Sequence, residues 1–200
     1  MKIKVCGMKY PENITAVASL APDYMGFIFW KGSARYFDGV LPEIPSAIKK
    51  VGVFVDASKA VILKHVSQHK LDLVQLHGNE SAAFCKDIKD SGIQVIKAFA
   101  VAPDFDFAQL TAYEHSCDFF LFDTKGKSPG GNGITFDWNL LGNYHLAKPI
   151  FLSGGIGPDS SAAIKNLDYR VHAIDINSRF ELKPGLKNSE AIHNFKNEMT

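Results

Sequence analysis

The stretch PIFLSGGIGPDS, residues 149–160, combines an apolar run, two adjacent glycines and the start of a helix. The run PIFL has the continuous apolar character of a parallel strand that is covered on both faces. The segment that follows, Pro158-Asp159-Ser160-Ser161, is typical of a helix start, where proline is tolerated and short polar side chains cap free N–H groups. Strand, turn and helix therefore follow in the order of a βα unit.

The same unit recurs along the chain. Seven further β-rich apolar runs are separated by segments long enough for a crossover helix: IKVCGM (3–8), YMGFIFW (24–30), VGVFVD (51–56), LVQLHG (73–78), QVIKAF (94–99), FFLFDT (119–124) and AIDINS (173–178). One such segment, SKAVILKHVSQH (58–69), places Ala60, Leu63 and Val66 at helical spacing. Eight units in 200 residues predict an α/β fold, a single (β/α)8 barrel domain over residues 1–200. An open doubly wound sheet is the alternative, but it usually has fewer strands.

Composition and charge exclude several classes of function. The 22 Lys and Arg nearly cancel the 21 Asp and Glu, so no overall field favours nucleic acid or an anionic membrane. The N-terminal residues alternate charged and apolar side chains, and no window approaches the length of a membrane span. The three cysteines, Cys6, Cys85 and Cys117, are too scattered for a disulfide framework or a metal site. We therefore expect a cytoplasmic protein that binds no metal.

A barrel has its active site at the C-terminal ends of its strands, which draws attention to Cys6 and Asp123. Cys6 ends the first predicted strand, and Asp123 follows the apolar FFLF of the sixth run. A small buried thiol and a turn-capping aspartate are the plain structural alternatives. Lys4 shares a strand face with Cys6, and its ammonium would favour the thiolate. The positions predict an activated thiol at Cys6 and a general acid at Asp123, where desolvation at the barrel mouth would raise the pKa of the carboxyl group.

The loops after the seventh and eighth strands predict a phosphate site. Gly154 and Gly155 allow close approach to the backbone, whose N–H groups can bind a phosphate. Asn177 and Ser178 follow the eighth strand and reach the same place. The segment matches neither GxGxxG nor a Walker motif, so it does not imply a nucleotide.

Three further features lie near the same end of the barrel. Arg35 follows the second strand, and its guanidinium fork suits a carboxylate. His77 ends the fourth strand, where it either approaches the ligand or serves as a structural histidine. Residues 124–136 form a long glycine-rich connection with two lysines, which predicts a lid over an anionic ligand.

Taken in order, these segments resemble one known family across the whole chain. The segments are KVCGMK, GFIFWKGSARY, VGVFVD, VQLHGNES, IKAF, FDTKGKSPGGNG with TFDW, PIFLSGGI and DINSRFELKPGLKN, and they resemble phosphoribosylanthranilate isomerases of tryptophan biosynthesis. The resemblance implies a (β/α)8 barrel and a cofactor-free Amadori rearrangement of a small phosphorylated substrate. That substrate is N-(5'-phosphoribosyl)anthranilate, and the product is 1-(2-carboxyphenylamino)-1-deoxyribulose 5-phosphate.

The resemblance also implies roles for single residues. Cys6 matches the family's general base, Asp123 its general acid and Arg35 the residue that holds the anthranilate carboxylate, while the SGGI and DINS loops match the phosphate site. The chain departs from the family in two places. Residues 178–181 read SRFE where SGVE is common, and KGSARY lacks a proline that often precedes the arginine.

Two other functions fit parts of the pattern. The histidine-pathway isomerase that performs the same rearrangement is expected to use two aspartates and to show half-barrel repetition, so Cys6 argues against it. A non-catalytic phosphate-binding protein would keep the glycine loop but would not need both Cys6 and Asp123. The sequence leaves open whether the chain is a monomer or a homodimer.

Overall fold

Eight parallel strands close into a barrel in sequence order, with the first strand paired to the eighth. They are β1 Lys2–Val5, β2 Tyr24–Ile28, β3 Lys49–Phe54, β4 Leu73–Leu76, β5 Gln94–Val101, β6 Phe119–Thr124, β7 Ile150–Leu152 and β8 Val171–Ile176. This computed structural model describes residues 1–124, 137–167, 169 and 171–199. The predicted (β/α)8 barrel is confirmed, and all eight predicted strands are present. Residues 125–136 of the predicted lid lie outside the described residues.

Side chains that alternate along the strands fill the barrel interior. An apolar cluster inside the barrel consists of Tyr24, Val51, Leu73, Ile96, Ala98, Leu121, Phe151 and Ala173. Nearer the C-terminal ends of the strands the buried side chains become polar, with Lys4, Gln75, Asp123 and Asp175. Because side chains in a barrel stack in layers, the apolar cluster forms a packed layer directly beneath these polar side chains.

At the opposite end of the barrel, three aspartates each accept a backbone N–H from the neighbouring strand. The pairs are Asp23 with Ile3 (2.9 Å), Asp72 with Lys50 (2.8 Å) and Asp118 with Val95 (2.9 Å). These carboxylates satisfy donors at the starts of strands that the sheet ladder leaves unpaired. This end of the barrel therefore contributes to register and stability.

The outer layer contains fewer helices than the sequence predicts. The α-helices are α1 Pro11–Ala18, α2 Lys59–His69, α3 Ala82–Lys89, α4 Ser161–Lys165 and α5 Ser189–Met199, and short 3₁₀ turns cover Phe107–Tyr113, Trp138–Asn143, Pro158–Ser160 and Ser178–Phe180. The expectation of a helix in every crossover is wrong for β2 to β3, because residues 29–48 contain no helix. Pro42 and Pro45 interrupt that segment, and proline cannot donate in a helix interior.

The buried face of α2 also differs from the prediction. Ile62 and His69 are buried, Leu63 and Val66 are half-buried, and Ala60 is exposed. The rings of His65 and His69 stack on Phe29, with ring centroids 4.3 and 5.0 Å apart, so the aromatic contacts set the rotation of the helix.

A hairpin that the sequence analysis did not predict follows β8. Strands β9 Glu181–Lys183 and β10 Leu186–Lys187 pair antiparallel. Gly185 has φ +82°, a left-handed conformation that glycine adopts without strain. The hairpin returns the chain toward the barrel mouth before α5 begins. Among the helices of the described residues, none has the length and apolar character that a membrane crossing requires.

Candidate active site

The predicted site residues all lie at or just after the C-terminal ends of barrel strands, and the closed barrel brings those ends to one face. They are Cys6 after β1, Arg35 after β2, His77 after β4, Asp123 in β6, Gly154 and Gly155 after β7, and Asn177 and Ser178 after β8.

Cys6 is 4% exposed and continues β1, with its N–H donated to the carbonyl of Ile176 at 2.9 Å. Gly26 in β2 makes room for the thiol, because a Cβ at residue 26 would lie 2.8 Å from Sγ. Burial raises the pKa of the Cys6 thiol above its ordinary value, although the charge of Lys4 lowers it. Lys4 thus favours the thiolate as expected, but desolvation outweighs the ammonium, so the net shift of the pKa is upward.

Lys4 is held in a buried ion pair that sequence reasoning missed. Its Nζ lies 2.9 Å from each carboxylate oxygen of Asp175 in β8. Burial alone would lower the pKa of Lys4, but Asp175 and Cys6 raise it above the ordinary value, so the ammonium stays charged beside the thiol. The available signal was one aspartate within the apolar stretch AIDI (173–176) of β8.

Asp123 is 6% exposed and lies beside one other predicted site residue, His77. Its Oδ1 accepts the N–H of Thr124 at 2.9 Å, and its Oδ2 lies 3.4 Å from Nε2 of His77. The amide nitrogen of Gln75 lies 2.7 Å from Nδ1 of His77. The ring of His77 thus lies between Gln75 and the predicted acid.

The glycine loop after β7 lies against this carboxyl group. A Cβ at Gly154 would lie 3.1 Å from Oδ1 of Asp123, and Gly154 and Gly155 have φ +92° and +65°. Arg179, which stands in the segment SRFE where the chain departs from the family, packs on the same loop. Its Nη1 donates to the Gly155 carbonyl at 3.2 Å. Its Nη2 lies 3.3 Å from the exposed carboxylate of Asp159. The predicted phosphate loop is therefore flanked by a cation.

The side chains of Arg35 and Asn177 both lie close to Gly7. A Cβ at Gly7 would lie 2.7 Å from Cδ of Arg35 and 2.8 Å from Oδ1 of Asn177. The guanidinium is bound to Glu181, at 2.8 Å from Nη2 to Oε2. Asn177 Oδ1 accepts from Lys187 Nζ at 2.6 Å, and Ser178 begins the turn that leads to Glu181. Sequence reasoning missed Lys187 altogether, and noted Glu181 only as the last residue of SRFE.

Comparison with known proteins gives one consistent family. A family model described as N-(5'phosphoribosyl)anthranilate (PRA) isomerase matches residues 3–198. An N-(5'-phosphoribosyl)anthranilate isomerase from Parabacteroides distasonis is 44% identical over 202 residues, which cover 98% of this chain and 91% of the relative.

Solved structures of the same name have the same architecture. Phosphoribosyl anthranilate isomerase from Thermotoga maritima has a TM-score of 0.84 at 30% identity, covering 100% of this chain and 98% of that one. A phosphoribosyl anthranilate isomerase in complex with reduced 1-(o-carboxyphenylamino)-1-deoxyribulose 5-phosphate has a TM-score of 0.82 at 29% identity, with the same coverage.

Proposed function

The chain belongs to the phosphoribosylanthranilate isomerase family, and we propose that it converts N-(5'-phosphoribosyl)anthranilate to 1-(2-carboxyphenylamino)-1-deoxyribulose 5-phosphate. The observation that carries the proposal is a thiol and a carboxyl group on the ends of β1 and β6, on one face of a closed barrel. Between them, around the barrel, lie the glycine loop after β7 and the end of β8. An acid and a base on separate strand ends can approach opposite sides of one sugar ring.

Asp123 acts first, as the general acid. It donates a proton to the ring oxygen of the ribose; the bond between that oxygen and C1' breaks, and the electron pair of the anthranilate nitrogen forms the iminium. The ring of His77, whose Nε2 lies 3.4 Å from Oδ2, stabilises the carboxylate that remains. The backbone N–H of Thr124 supports Oδ1 in the same way.

Cys6 acts second, as the general base. Formation of the iminium acidifies the proton on C2', the thiolate removes it, and the resulting enolamine tautomerises to the ketone. The nearby ammonium of Lys4 favours the thiolate, whereas burial opposes it. Because burial raises the pKa of the thiol, we expect kcat/KM to rise with pH as Cys6 loses its proton.

Two groups of residues hold the ends of the substrate. Arg35 binds the anthranilate carboxylate through its guanidinium fork. Gly154, Gly155, Asn177 and Ser178 bind the phosphate, and the positive φ of both glycines supports this by letting the backbone approach an anion. The three unpaired cysteines and the biosynthetic family support a cytoplasmic location.

The test is turnover of N-(5'-phosphoribosyl)anthranilate, followed by the loss of its fluorescence. We expect the native chain to convert it, and Cys6→Ala and Asp123→Asn each to lower kcat/KM by about 10²–10⁴-fold. Cys117→Ala, which removes a buried thiol outside the site, is the control and should keep near-native kcat/KM. An inactive native chain, or near-native turnover in a folded Cys6 or Asp123 variant, would refute the proposal.

A further inference from the structure

The carboxylate of Glu181 is the centre of a buried network beside the proposed substrate. Its side chain is 4% exposed and accepts from Nε of Arg35 at 3.0 and 3.1 Å, from Nη2 of Arg35 at 2.8 Å, from Nζ of Lys187 at 2.7 Å and from the N–H of Gly185 at 3.0 Å. Burial alone would raise the pKa of Glu181, but the hydrogen bonds from Arg35 and the charge of Lys187 bring it below its ordinary value. Glu181 is therefore a carboxylate that is almost fully enclosed by donors.

Lys187 anchors this carboxylate to the barrel. Its side chain is fully buried, and its Nζ also donates to Oδ1 of Asn177 at 2.6 Å and to the carbonyl of Asn177 at 3.3 Å. Its backbone N–H and carbonyl both bond to the side chain of Asn13 in α1, at 2.7 and 2.9 Å. The hairpin β9–β10 is thus fixed to the end of β8 and to α1 through one residue.

The network binds only one of the two edges of the Arg35 guanidinium. Glu181 occupies the side-on edge of Arg35, formed by Nε and Nη2. A guanidinium has a second bidentate edge, formed by Nη1 and Nη2, which Glu181 does not use. We propose that Glu181, anchored by Lys187, is a positioning residue that orients this end-on edge of Arg35 toward the anthranilate carboxylate; the inference rests on the proposed function.

The charges of the three residues leave the site attractive to an anion even with Glu181 present. Arg35 and Glu181 alone would form a neutral pair with little attraction for an anion. Lys187 adds a second cation, so two positive charges and one negative charge leave one net positive charge at the carboxylate site. Burial lowers the pKa of Lys187 to about 8, so most of the ammonium remains protonated at pH 7. A guanidinium that is already ordered also loses less side-chain freedom when the ligand binds.

Two stable ligands test the inference. Reductive amination of ribose 5-phosphate with anthranilate and with aniline gives two compounds that differ only in the carboxylate. The ratio of their Kd values in the native chain measures what the carboxylate contributes, and we expect about tenfold or more in favour of the carboxylated compound. Arg35→Met should remove the difference between the two Kd values.

We expect Glu181→Gln to reduce the ratio about tenfold, while the Kd of the aniline compound changes less than twofold. Lys187 is left with an unmatched buried charge in that variant, so the double variant Glu181→Gln with Lys187→Met is measured beside it as a second test. Glu43→Gln, an exposed glutamate in the β2–β3 connection, is the control and should keep the native ratio.

The outcomes separate this inference from the proposed function. Equal weakening of both compounds would make Glu181 merely structural, and tighter binding of the carboxylated compound in Glu181→Gln would make Glu181 a competitor for Arg35. Either result overturns the inference, as does a native ratio in both Glu181 variants. If the native chain itself shows no preference, or does not isomerise the substrate, the assignment of Arg35 or of the function fails instead.

Discussion

Gly26→Ala should lower the activity although it replaces none of the groups that react. A Cβ at residue 26 would lie 2.8 Å from Sγ, 3.1 Å from Cα and 3.3 Å from Cβ of Cys6. Carbon and sulfur atoms in proteins pack at about 3.5–4.0 Å, so the thiol or the strand must move by roughly 1 Å. Because β1 and β2 are paired in the barrel, the backbone cannot easily separate, and the thiol is the group that moves.

A displacement of about 1 Å in a reacting group can cost on the order of a hundredfold in rate, so we expect kcat/KM to fall by about that factor. Overpacking costs about 1–3 kcal/mol. For a chain of this length that lowers Tm by roughly 2–12 °C. Fluorescence-monitored turnover and thermal denaturation measure the two effects. Gly39→Ala is the matched control, because its Cβ would meet only the ring of Phe37, at 3.6 Å.

A double-mutant cycle shows whether the thiol is the cause. In a Cys6→Ala background Sγ is absent, so the stability cost of Gly26→Ala should shrink by about 1 kcal/mol, the size of a contact coupling. If Gly26→Ala keeps native kcat/KM and Tm, or costs the same stability with and without Sγ, then the thiol does not lie where this packing argument requires it.

Three further predictions concern cysteine reactivity, pH and phosphate. Iodoacetamide should alkylate Cys6 before Cys85 and Cys117, because Cys6 is 4% exposed and lies beside the ammonium of Lys4, whereas the other two thiols are fully buried. Lys4→Met should move the onset of alkylation to higher pH, and mass-spectrometric mapping that finds another cysteine labelled first would contradict this. Burial lowers the pKa of His65 and His69, so the unfolded chain takes up protons first and stability falls as pH drops below about 6.5. His65→Phe should reduce this loss in melts between pH 7 and 5, and an unchanged slope would refute it. Arg179→Gly should raise the inhibition constant of inorganic phosphate severalfold, with kcat unchanged, because it removes a cation from the glycine loop; an unchanged constant would separate Arg179 from the phosphate.

The barrel could be predicted because its strands are buried on both faces and therefore appear as continuous apolar runs. The outer layer could not, since helix formation there depends on details that segment length does not contain. Pro42 and Pro45 remove the helix between β2 and β3. In α2 the run AVIL supplies apolar residues on every side, so the rings of Phe29, His65 and His69 decide which face is buried.

The positions of the predicted acid and base followed from one rule, that barrel strands present their C-terminal ends on one face. Their environment did not follow from it. Lys4 and Asp175 are 171 residues apart in sequence, and only the closure of β1 on β8 brings them together. The influence of Lys4 on the Cys6 thiol could be predicted from the strand face that they share, but the net shift could not, because it depends on burial, which local sequence does not show.

Three buried lysines show that ion pairs of one type serve different ends in this fold. Lys97 pairs with Glu80, whose carboxylate also accepts the N–H groups of Asp56 and Gly78, so that pair holds two loops in place. The other two, Lys4 and Lys187, pair with Asp175 and Glu181. The charges of both lysines also lower the pKa of the Cys6 thiol. Buried ion pairs are weak stabilisers, because desolvation offsets much of their attraction. The pairs of Lys4 and Lys187 are therefore better explained by the charge they place around an anionic substrate and a thiol base than by the stability of the barrel.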